Sequence, residues 1–134
     1  MIVPLVAALI LGQQTMLSEV NSERHSAGVP ALVRDDCLTS VAMARANDML
    51  TRHYFSHVTP DGRLPWDAMR ADGCPFHYAA ENIAEAPDPL YAITELWQSP
   101  EHRRNTLDAH YRKIGIGTAV LGDGIEIFVE DFTD

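Results

Sequence analysis

A chain of 134 residues has room for one domain, burying roughly two thirds of the surface its unfolded chain exposes. Nineteen acidic against ten basic side chains give a net charge of −9, with a single lysine, Lys113, and no run of Lys or Arg. Phosphate and anionic headgroups are held by clustered cations, so this balance speaks against nucleic-acid partners and against docking on an anionic bilayer.

Met1 to Gly12 is apolar throughout. It is shorter than the about 20 residues that a helix needs to span a bilayer, and its length suits the core of a signal peptide. No Lys or Arg precedes it and no Ala-x-Ala site follows it. The division expected is an export segment over 1–12 and a domain over 13–134, with no stable membrane span in the mature chain. The alternative for the first twelve residues is a packed N-terminal helix.

Gln13 to Ala27 carries Met16, Leu17, Val20 and Arg24 at helical spacing, and Gly28 is a fitting stop. Ala31-Leu32-Val33 reads as a short extended piece. Asp35 or Asp36 can cap the next helix, which runs to about Arg52 with Leu38, Val41, Ala42, Arg45, Ala46 and Met49 on one face. Ala42, Ala44 and Ala46 allow close approach to a neighbour. Thr59-Pro60-Asp61-Gly62 is a turn by composition. Leu64 to Arg70 reads as a short helix stopped by Gly73. Cys74 to Ala86 has a mixed pattern that supports no assignment. Asp88-Pro89 opens a helix through Trp97, and Ser99-Pro100-Glu101 opens another, with Ser99 as its cap. The period then changes: 114–120 and 125–132 read as two strands joined by Leu121-Gly122-Asp123-Gly124. Helices followed by a hairpin predict an α+β fold.

Cys37 and Cys74 form the minimum even count of cysteines. In an oxidising compartment they can pair, and in a reducing one they are two buried thiols. Three other stretches carry side chains suited to chemistry. His57 follows Tyr54-Phe55 at a helix exit, either bonded to a loop carbonyl or open to a metal. His53 lies four residues earlier, beyond the point where the helix still holds both rings on one face. Glu81 sits among Ala79, Ala80, Ile83 and Ala84. It is either solvated on a loop or buried, and a buried carboxylate must be paired or ligating. His102 falls in the first turn after Ser99, and Glu95 lies two residues before Trp97. His-Glu-x-x-His, Gly-x-Ser-x-Gly and phosphate-cradling glycine motifs are all absent from the sequence.

Several pieces, in order, resemble the bacterial branch of the CAP superfamily (cysteine-rich secretory proteins, antigen 5 and pathogenesis-related 1). They are Val20-Asn21-Ser22-Glu23-Arg24, Tyr54-Phe55-Ser56-His57 with Pro60-Asp61-Gly62, Glu81-Asn82-Ile83-Ala84, Trp97 to Leu107, and Ile114-Gly115-Ile116-Gly117. The resemblance spans roughly residues 16–132. It implies an α–β–α sandwich with a small antiparallel sheet between helical layers, secretion to the cell envelope or outside the cell, and a monomer. It also implies a cleft of two His and two acids. His57 and His102 correspond to the histidines and Glu81 to one acid, with Glu101 or Glu95 as the second. Zinc or another divalent cation would bind at the histidines.

Three functions follow as expectations: a binding or interaction module for a small molecule, lipid or envelope component, a metal-assisted hydrolase with Glu81 as general base, or a lipid or sterol binder. The chain departs from the pattern at His53, where Gly is the expected helix stop, and at Glu130-Asp131, where Gln or an aromatic residue is expected.

Overall fold

A computed structural model describes residues 5–134. Residues 1–4 of the apolar leader lie outside the described residues. From Leu5 the leader runs without a break into α1, Leu5–Ser26. The extension beyond the expected start at Gln13 has a local cause. Leu5 to Leu11 is built of aliphatic residues with no breaker, and Gly12 is buried against Pro89.

The remaining elements are β1 (Val33–Arg34), α2 (Asp36–Thr51), α3 (Pro65–Ala71), β2 (Ala79–Ala86), α4 (Pro89–Gln98), α5 (Pro100–Leu107), β3 (Lys113–Val120) and β4 (Glu126–Thr133). Asp35 caps α2 by accepting from the Leu38 N–H, and Asp88 caps α4 by accepting from the Tyr91 N–H. Ser99 occupies the cap position of α5 without a side-chain hydrogen bond, so that helix start rests on Pro100 and the acid of its first turn. α2 ends through His53, which adopts φ +55°. A histidine tolerates this left-handed position better than most residues.

The sheet order is β1-β3-β4-β2. β3 pairs antiparallel with β4, and β4 with β2, while the two-residue β1 pairs parallel with β3. The sheet is therefore mixed, antiparallel except at one short edge. β2 is the strand that the sequence pattern did not reveal. Its eight residues, Ala79–Ala86, are buried on both faces except at Glu85 and partly at Ala79, so hydrophobic residues do not alternate with polar ones.

α2 covers one face, where Ala42, Ala46 and Met49 pack on Ile83, Ala119, Ile127 and Val129. α1 and α4 cover the other, where Met16, Val20, Ile93 and Leu96 pack on Ile114, Ile116, Phe128 and Phe132. The result is the α–β–α sandwich. Buried Arg24 ties α1 to the far end of the chain by donating to the carbonyls of Pro30, Thr106, Asp108 and Tyr111.

The approach of α2 to β3 is set by two glycines. A Cβ at Gly115 would sit 2.1 Å from the backbone carbon of Leu38, and one at Gly117 would sit 2.1 Å from that of Ala42. No side chain fits between helix and strand there. Cys37 on α2 and Cys74 after α3 form a disulfide, with Cα atoms 5.7 Å apart. It secures the α2–α3 segment to the sandwich.

Two outcomes follow. Gly117→Ala should lower stability by about 1–3 kcal/mol through overpacking, whereas Gly122→Ala, which meets nothing within 4 Å, should stay within about 0.5 kcal/mol of wild type. Urea unfolding of both variants distinguishes the two effects. Reduction of Cys37–Cys74 should lower the melting temperature, because the bridge closes a separation of 37 residues and is worth about 4 kcal/mol on the chain-entropy account. An unchanged melting curve under reductant would refute that contribution.

Candidate functional site

The site is built on two neighbouring residues of the edge strand β2. Successive side chains of a strand point to opposite faces, so Glu81 faces the α2 layer and Asn82 faces the layer of α4 and α5.

Glu81 is buried. One of its carboxylate oxygens accepts from Arg45 Nε at 2.5 Å and the other from Arg45 Nη2 at 2.7 Å, a bidentate pair. The second oxygen also lies 2.9 Å from His57 Nδ1. Arg45 Nη2 donates in addition to the carbonyls of Ser56 and His57, at 3.3 and 3.1 Å. One guanidinium on α2 thus holds both the carboxylate and the loop that carries the histidine. Burial alone would raise the Glu81 carboxyl, but hydrogen bonds from His57 and Arg45 outweigh it and hold Glu81 below the ordinary carboxylate range. Burial works against the Arg45 charge, and Glu81 outweighs that too, leaving the guanidinium firmly protonated. A pair of this kind adds little net stability, yet removing one partner strands the other charge at a cost of about 3–5 kcal/mol.

Asn82 is fully buried. Its Nδ2 donates to the His102 carbonyl at 3.1 Å and to Glu130 Oε1 at 3.2 Å, and its Oδ1 accepts from Asn105 Nδ2 at 2.9 Å. These bonds fasten the backbone of α5 to β2 and set where His102 stands. Burial, with the nearby His57 charge adding to it, lowers the His102 pKa. Its ring is therefore held toward the neutral, lone-pair-bearing form. Next to His102 a hollow of about 270 Å³ opens between Phe55, Ile83, Glu85, Glu95 and Leu96.

Of the three residues singled out in the sequence, His57 lies against Glu81, and His102 stands near enough to His57 to feel its charge. Glu95 lines the hollow beside His102 but is exposed. Glu101 is exposed as well and acts on His102 only through its charge. Neither makes a hydrogen bond to the histidines among the described residues. Sequence reasoning missed two residues. Arg45 was placed on the inner face of α2, where a charged residue among aliphatic ones signals a buried partner. Asp131 is fully buried and directly opposite Glu81 in the ladder, and only strand register reveals it.

Among the described residues no group of three or more His, Cys, Asp or Glu side chains is disposed to hold a metal ion. A cation at this cleft would have two protein ligands, the imidazoles of His57 and His102. The donor chemistry fits such an ion. The His57 Nδ1 is committed to a carboxylate, the arrangement that orients ligating histidines and leaves Nε2 free.

The sequence profile of the cysteine-rich secretory protein family, CAP, matches residues 17–132. The chain belongs to the CAP family. It is 31% identical over 111 residues to the uncharacterized protein YkwD of Bacillus subtilis, an alignment covering 82% of this chain and 43% of that relative. The chain thus spans less than half the length of the curated relative it matches. Its fold is shared with an outer surface protein of Borrelia burgdorferi (TM-score 0.86, 23% identity, 92% of each chain). It is also shared with an extracellular SCP-domain protein of Bacillus anthracis (TM-score 0.87, 24% identity, 99% of this chain and 44% of that one). Venom allergen-like protein 4 of Schistosoma mansoni has the same architecture at 13% identity (TM-score 0.72, 91% of this chain and 87% of that one).

Another buried acid of this CAP domain, Glu130, has its pKa pushed up to about 7, first by burial and then by the charge of Glu23, against a hydrogen bond from Asn82 that lowers it. The sign follows directly. From the ordinary value near 4.5 up to about 7, the folded protein retains a proton that the unfolded chain has lost, so stability falls as pH rises through that window. Glu130→Gln keeps an acceptor for Asn82 and carries no charge. Relative to wild type, its urea midpoint should rise steadily from about pH 4.5 to about pH 7. Parallel curves would show that Glu130 is ionised throughout.

Proposed function

We propose that this CAP domain is an exported binding module of the cell envelope or extracellular space, and that its cleft takes Zn²⁺ or another divalent cation weakly between His57 and His102. The observation that carries this reading is the commitment of Glu81. Both of its oxygens are engaged by Arg45, and one also meets His57 Nδ1. The carboxylate orients an imidazole and is not free to take a proton from water. Two neutral imidazoles leave the remaining coordination positions to water or to an oxygen of the bound partner, which fits weak binding.

Export is supported by the Cys37–Cys74 bridge, since such bonds persist in oxidising compartments, and by the apolar segment over 1–12. The outer-surface and extracellular descriptions of the structural neighbours agree with it. No helix among the described residues is long and apolar enough to cross a membrane.

The hydrolase reading requires Glu81 as general base, and a base must reach the water it deprotonates. Its bidentate pairing with Arg45 argues against that role. The lipid reading draws on a different feature, an apolar cavity of about 290 Å³ between α1 and β3 lined by Ile10, Leu17, Ile114 and Ile116.

Calorimetric titration with Zn²⁺ tests the leading proposal. The wild type should bind and the His57→Ala/His102→Ala double variant should not, while Glu81→Gln should bind about 10–100-fold more weakly through loss of the orienting carboxylate. Equal heats from wild type and the double variant would sink the metal claim.

A further inference from the structure

Asp131 lies in β4, directly opposite Glu81 on β2 and Gly115 on β3. Residues opposed in this way project to the same face, their Cβ positions about 5 Å apart. Gly115 contributes no side chain, and the backbone of α2 at Leu38 and Thr39 closes over it. Asp131 is consequently sealed from solvent, and among the described residues neither of its carboxyl oxygens meets an N–H or O–H donor. The charged groups that face it are Glu81 from β2 and Arg45 from α2. His57 stands on the far side of Glu81, in the loop after α2. Arg45 spends its Nε and Nη2 on Glu81 and the loop carbonyls. An ionised Asp131 would be an unpaired carboxylate beside a second carboxylate in a buried setting. Two buried acids in contact share a proton instead.

We propose that Asp131 is a positioning residue for the cleft: it stays protonated and donates a hydrogen bond to Glu81, fixing that carboxylate between Arg45 and His57 Nδ1. The three buried groups then comprise one cation, one anion and one neutral acid. They balance without a counterion from solvent, which is what allows Glu81 to sit deep in the sheet. Glu81 turns its remaining lone pairs to His57, so the His57 proton is drawn to Nδ1 and the Nε2 lone pair faces the cleft. Burial first, and then the Glu81 charge, push the Asp131 carboxyl well above its usual range, in line with the geometry. The assignment concerns the wall of the cleft already described, but it requires no cation there.

The test uses wild type, Asp131→Asn and Asp131→Leu, all free of metal. Asn keeps the shape and offers an N–H donor to Glu81 without needing to take up a proton. Wild type binds one more proton on folding than Asp131→Asn does, so the ratio of the variant's folding constant to the wild type's should rise about tenfold per pH unit between about pH 5 and pH 7. Urea unfolding reads that ratio, and equal pH dependence in the two proteins would overturn the proposal. The His57 Nδ1–H resonance should persist in Asp131→Asn and be lost to solvent exchange in Asp131→Leu, which has no donor. Its persistence in folded Asp131→Leu would show that Glu81 is held without Asp131. If Asp131→Leu does not fold, the pH arm with Asp131→Asn decides alone. A zinc titration that shows no binding would defeat the cation reading and leave both of these readouts untouched.

Discussion

The cleft depends on how closely α2 lies on the sheet. Gly115 and Gly117 remove the side chains that would hold the helix away, and at that distance Arg45 can reach past β4 to Glu81 on the edge strand. A longer helix–sheet separation would leave Glu81 without a cation. A buried carboxylate lacking a partner is among the costliest features a core can hold. The glycines and the ion pair are therefore parts of one arrangement, in which backbone proximity makes a polar interior tolerable.

Adjacent positions of β2 divide the work. Glu81 acts on the α2 side, where it turns the His57 ring, and Asn82 acts on the α5 side, where it grips the His102 backbone. Strand geometry sends neighbouring side chains to opposite faces, so a single dipeptide places two histidines that lie 45 positions apart in the chain. Because β2 is at the sheet's edge, the two layers can meet around it and leave an opening. In the interior of the sheet the same dipeptide would have held two side chains with no cleft between them.

The polar residues of β4 show a different economy from those of a solvated surface. Glu130 and Asp131 are consecutive and point to opposite faces, and both are fully buried. Glu130 is satisfied by Asn82, whereas Asp131 has no donor among the described residues. Burial raises both carboxyls, while at Glu81 hydrogen bonds from His57 and Arg45 outweigh burial and lower the carboxyl. Acids within a few residues' reach thus differ in charge state because their partners differ, not because their depth does. The proton balance of this interior works against stability as pH rises, and the Glu81 pair works the other way as pH falls.

Much of this was legible in the chain. The inner face of α2 from Leu38 to Met49, the β3–β4 hairpin and the turn at Thr59–Gly62 could be read from spacing and residue type, being local signals set by helical and strand periodicity and by turn chemistry. The motifs with His57, Glu81 and His102 were joined by the family resemblance. The strand β2 was not legible, because a segment buried on both faces has no alternation to read. Nor was the partnership of Arg45 with Glu81, since 36 residues separate them and only packing brings them together. Ser99 kept its cap position but not its side-chain bond, which depends on neighbours that sequence does not show. By itself, then, the sequence determined the helices and the β3–β4 hairpin, which follow from short-range chemistry, and its ordered motifs pointed to the family. Tertiary structure alone decided the mixed sheet, the charge state of each buried acid and the orienting role of Glu81. Register and burial, which are properties of the assembled layers, set all three.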